Sequence, residues 1–188
     1  MRVILSIIFF LNLNFSFSQS VTTKLKSFNS FKAGEKLEYK LQYGFLNASY
    51  ASLTLKEDLV NNKKVLRATS IGRTTGLARL FFKVDDTYET FFSFDKVQPL
   101  KSIRDIYEGG YVRNAETLYD YNSNTSFFHD KIKNIKKEFK IHPEIQDIIS
   151  TFYYLRKHFD ISSLKPNDLI YVDTVSYTHL RAHETLHY

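Results

Sequence analysis

Asp85, Asp86 and Glu89 form the densest acidic group in the chain. Paired carboxylates can do general acid–base work, one holding a proton while the other accepts it. On a strand, Asp85 and Glu89 share one face and Asp86 points to the other. The same pattern also fits ordinary solvated charges along a strand edge.

A second group invites a metal reading. His179, His183 and His187 recur every four residues, with Glu184 beside one of them. On a helix that spacing stacks the imidazoles on one face, as a zinc site would. However, residues 175–185, VSYTHLRAHET, resemble residue for residue the in-frame translation of a transposase adapter used in sequencing libraries. Residues 175–188 are therefore expected to be a non-native tail, to be left out of fold reasoning, and no metal site is expected. The remaining histidines, His129, His142 and His158, are far apart and have no ligand spacing.

Other catalytic patterns are missing. The stretch GRTTG at 72–76 lacks the Lys-Ser/Thr that completes a phosphate loop and reads as a bend. There is no G-x-S-x-G elbow, and the absence of Cys removes any thiol nucleophile. No catalytic residue, ligand-binding residue or cofactor is assigned. Lys131, Lys133, Lys136, Lys137 and Lys140 form a basic run. It fits a solvated face that blunts a sheet edge; nucleic acid is not expected as a partner of an exported chain, and anionic lipid or polysaccharide is a further alternative. The aromatics Tyr88, Phe91, Phe92 and Phe94 are dense enough to make one strand apolar on both faces. Such a strand is either packed on both sides or lines an apolar cavity.

The elements that must carry these residues are strands. The chain has 188 residues, 43% hydrophobic and 24% charged, a globular balance suited to one domain. Its 17 Phe and 13 Tyr, with no Trp, favour a pleated, half-buried surface. With no Cys, the core must hold the fold without disulfides, and no lipid anchor is expected at an N-terminal Cys. Met1-Arg2, the apolar run at 3–11 and Ser16-Phe17-Ser18 have the order of a signal peptide cleaved after Ser18. The apolar run is too short to span a bilayer, so no transmembrane span is expected after its removal. Residues 19–30 read as a loose mature N-terminus and 31–174 as one β-rich domain. The net charge of +6 becomes +5 once Arg2, Arg181 and Glu184 are set aside, which is only mildly basic.

Alternation and turn residues predict strands near 37–43, 48–56, 65–71, 84–94, 100–107, 111–121, 126–130 and 135–141. The stretch LARLFF at 77–82 reads as a short helix or a buried corner. Ile145, Ile148, Ile149, Phe152, Leu155 and Phe159 form a stripe that aligns only at a helical period, predicting an amphipathic helix over about 143–159. A further strand begins at 169–172 and runs into the tail. The fold class is therefore mainly β: a curved antiparallel sheet or open barrel with one helix as a lid, missing its C-terminal strands. An incompletely covered core is the expected consequence.

Three stretches, FKAGEKLEYKLQYGFLNA (31–48), TTGLARLFFKVDDTYETFF (74–92) and IQDIISTFYYLR (145–156), carry a family resemblance. They resemble exported proteins of Gram-negative bacteria grouped as domain-of-unknown-function family 3108. The resemblance implies an exported, mostly antiparallel β fold with further strands after the helix, and no activity. The residues fit a periplasmic binding or carrier module for an apolar or lipid-like ligand. The alternative is a cell-envelope structural or assembly protein acting through protein contacts. An enzyme is the least supported reading, because nucleophile, base and oxyanion donors are not found together.

Overall fold

A computed structural model describes residues 30–44, 46–164 and 169–175. Eight strands follow one another: β1 (Lys36–Tyr43), β2 (Leu46–Val60), β3 (Lys63–Thr74), β4 (Asp85–Phe92), β5 (Pro99–Glu108), β6 (Tyr111–Asp120), β7 (Thr125–Asp130) and β8 (Ile135–Lys140). Helix α1 (Gly76–Phe81) interrupts them after β3, and helix α2 (Ile148–His158) follows β8. Each strand pairs antiparallel with the next in one open sheet, with β1 and β8 at its edges. This is the predicted mainly β class, and every predicted strand up to residue 141 is present.

Local chemistry explains the meander. Asn61 and Asn62, with φ of 51° and 61°, make the two-residue left-handed turn that suits the twist of paired strands. Gly109 and Gly110 do the same between β5 and β6, with φ of 54° and 95°. Val97 also takes a left-handed φ of 54°, unfavourable for a β-branched residue, and is held there fully buried.

The pairing register turns the sequence into rows across the inner face. Nearest the α1 end lie Tyr39, Ala51, Gly72 and Asp86. The next row is Leu37, Leu53, Ser70, Tyr88, Arg104 and Ala115. Beyond it come Leu55, Ala68, Thr90, Ser102 and Thr117. The main core forms at the opposite end, where Leu53, Leu55, Leu66, Ala68, Phe92 and Val97 pack with Tyr153 of α2. Phe31 closes it, its ring 4.9 Å from Tyr153 and 6.4 Å from Phe92. Burying Phe92 alone contributes about 1.5–3 kcal/mol.

Helix α2 differs in detail from the predicted stripe. It starts at Ile148, because the Asp147 side chain caps the backbone of Ile149 and Ser150 and the Ser150 hydroxyl accepts from the Asp147 N–H. Pro143 and Glu144 precede it in a turn. The helix buries Ser150 and Tyr153, with Ile149 and Tyr154 beside them, while Ile148 and Phe152 are exposed. Ile145 packs separately with Tyr119 and Ile141. The helix is thus rotated from the orientation its most apolar residues suggested, with an aromatic ring as its main anchor. At its end Arg156 forms a two-pronged bond to Glu35, at 2.6 and 2.7 Å, and also donates to the Ser30 carbonyl.

The strand expected at 169–172 is not formed. That segment exposes Leu169 and Tyr171 and makes one parallel bridge, Gln146 to Thr174. Residues 1–29 and 176–188 lie outside the described residues, and with them the predicted leader and most of the tail, including His179, His183, Glu184 and His187.

Candidate functional site on the inner face

The strand parity splits the acidic group. Asp85 lies on the outer face, bonded by both nitrogens of Arg79 at 2.8 and 2.6 Å and flanked by Lys83 at 3.5 Å. The Arg79 hydrogen bonds hold its carboxyl below the usual range. Glu89 shares that face and accepts from Arg67 and from the Thr69 hydroxyl. These partners make both carboxylates parts of surface ion-pair ladders. The outer face also holds a concavity of about 420 Å³, lined by Asp58, Arg67, Thr69 and Glu89 among others. Within it Arg67 pairs with both Asp58 and Glu89.

Asp86 occupies the inner face, buried, accepting from the Tyr107 N–H at 3.1 Å. Sequence reading missed its neighbour, the Glu108 carboxyl. Burial first, then the neighbouring Glu108 carboxyl, pushes Asp86 up to about 6. Glu108 is brought there by the Val84–Glu108 bridge and the diglycine hairpin after it. The hairpin was visible in sequence, but the β4–β5 register, shifted at Phe91/Phe92, was not.

A shallow trough runs beside this pair. Its floor is made of small residues, Ala51, Ser70 and Gly72, at neighbouring register positions of β2 and β3. A Cβ placed on Gly72 would meet no atom within 4 Å, so the space above the floor is open. Gly72 is an in-strand residue, and the bend expected at 72–76 comes at its end, where Gly76 takes φ 55°. One wall is apolar: Tyr39 and Leu41 on β1 are 53% and 66% exposed. The other wall is Tyr88 and Asp86, with Arg104 behind Tyr88. Burial and the neighbouring Asp86 and Glu108 charges raise the Tyr88 phenol. The far end of the inner face is closed by α2, where Asp147 is fully buried and accepts from Thr90, Ile149 and Ser150. Burial raises its carboxyl, and its second oxygen has no partner among the described residues.

The aromatic strand is divided between both faces. Phe92 fills the core under α2, while Phe91 lies on the outer face between Arg67 and Lys101, 5.3 and 5.8 Å from its ring centre. β4 is therefore covered on both sides at this point, as a packed central strand. The open part of the inner face lies further along, over Gly72.

The native histidines stay apart. His129 lies on β7, His142 sits 3.8 Å from Asp173, and the His158 ring centre lies 4.6 Å from that of Tyr154, tilted by 53°. Burial pushes the His158 imidazole down. Among the described residues, no group of three His, Cys, Asp or Glu side chains is placed to hold a metal. Lys131 bonds Glu116 at 3.2 Å, and Lys136, Lys137 and Lys140 lie on the edge strand β8.

A family model described as Protein of unknown function (DUF3108) matches residues 38–188, a span that includes the tail at 175–188. No curated protein and no solved structure matches the chain. Among the described residues, no helix is long and apolar enough to cross a membrane.

Proposed function

The chain belongs to the DUF3108 family, and since that family's description assigns no activity, we propose from this chain's own geometry that it is an extracytoplasmic binding or carrier module for a lipid-like ligand. The open trough over Ala51, Ser70 and Gly72 carries the reading. Its exposed Tyr39 and Leu41 suit an apolar chain, while Asp86, Glu108, Tyr88 and Arg104 suit a polar head. Binding sites are commonly concave and mainly apolar, with a few polar groups that fix orientation. The leader read in residues 1–18 supplies the address in the same proposal: a protein delivered to the periplasm and released there.

The test is a fluorescence titration with a cis-parinaric acid probe, followed by displacement with unlabelled fatty acid. Saturable binding with displacement supports the reading. A flat titration overturns it. The second reading, an envelope assembly protein, is favoured by the open edges of β1 and β8, which could accept a partner strand.

A further inference from the structure

Antiparallel order places the β3–β4, β5–β6 and β7–β8 connections at one end of the sheet, opposite the main core. That end is apolar. On α1, Leu80 is 80% and Phe81 is 87% exposed, with Leu77 and Phe82 also exposed beside them. Tyr111 and Val112 follow at the next connection, and Ile132 and Ile135 at the third. A six-residue helix with no buried residue gains nothing for the core from these side chains, and they line up in strand order along one rim.

The charge at the tip of this rim is mostly basic. Asp85 is held by Arg79 and Asp130 by Arg113 at 3.5 Å. Lys133, Lys136 and Lys137 are exposed and form no ion pair among the described residues. Apolar tips beside unpaired cations are the arrangement that binds an anionic lipid surface, the tips entering the acyl boundary and the lysines meeting headgroups.

We propose that this rim docks the protein on an anionic lipid bilayer, through Leu77, Leu80, Phe81 and Phe82 with the lysines of the β7–β8 connection. The docking side chains are not among those lining the trough, and the proposal does not depend on that reading.

Cosedimentation of the full chain with vesicles of about one-third phosphatidylglycerol in phosphatidylcholine tests it. Binding is expected there and not to phosphatidylcholine alone. The Leu80→Asp/Phe81→Asp variant should bind at least about tenfold more weakly. The Lys133→Glu/Lys136→Glu variant should lose a similar factor and its salt sensitivity. All four positions are exposed, so thermal melts should match the parent chain, and each pair checks the other. No vesicle binding, or binding that both variants keep (as the apolar run at 3–11 would give), overturns the proposal. So does α1-dependent self-association without vesicle binding. Probe binding in the trough should be unchanged in both variants, which separates this failure from failure of the carrier reading.

Discussion

The Thr90 hydroxyl donates to the Asp147 carboxylate at 2.9 Å, joining the middle of β4 to the cap of α2. One side chain therefore starts the helix and also docks it on the sheet. Because Asp147 is fully buried, this link decides where the lid sits and how much of the inner face stays open.

Removing the link should loosen the lid. Asp147→Ala loses the helix cap and leaves Thr90 unpaired, an expected cost of about 2 kcal/mol. Thr90→Val should cost about 1 kcal/mol. The two losses should not add, because both break the same bond. Urea unfolding of the singles and the double checks this; strict additivity would contradict a shared role.

Asp86 gives the fold a pH signature. Its folded-state value of about 6 lies above the ordinary 3.8, so the protonated form is favoured in the native state. That stability is fully present below about 3.8 and is lost as pH rises through about 6, up to about 3 kcal/mol. Asp86→Asn should remove this contribution to the slope. The comparison is the difference between variant and parent unfolding free energy across that pH range. A constant difference would contradict the raised Asp86 value.

The trough can be filled without disturbing the core. Gly72 has a strand conformation open to side chains, and the space above it is vacant. Gly72→Phe should abolish parinaric acid binding while the melting temperature stays within a few degrees, about 1 kcal/mol of stability. Unaltered binding would move the ligand site elsewhere.

Arg156 ties residues 30–35 to α2. Its bond to Glu35 is largely shielded from water, and its guanidinium also lies 5.7 Å from the Phe31 ring centre. Arg156→Lys keeps the charge but loses the two-pronged fit. A loss of about 1–2 kcal/mol is expected, with faster proteolysis ahead of β1. Wild-type cleavage rates would count against the strap.

Much of this architecture was legible beforehand because its signals are local. Alternation at Leu37, Tyr39 and Leu41 gave β1, and the Asn61-Asn62 and Gly109-Gly110 turns fixed two hairpins, since period and left-handed turns depend on neighbouring residues only. The separation of Asp86 from Asp85 and Glu89 also followed from strand parity alone.

What the chain's order of residues could not hold was long-range placement. The pairing of Asp86 with Glu108 needed the β4–β5 register, and a shift at Phe91/Phe92 decides that. The burial of Tyr153 in place of Ile148 and Phe152 needed the Asp147 cap to meet Thr90, residues 57 positions apart. The trough exists because Ala51, Ser70 and Gly72 meet on neighbouring strands, and the exposed rim exists because three separate connections fall at one end. Each is a contact between distant segments, set by which backbone groups pair and which rings fill the space between them.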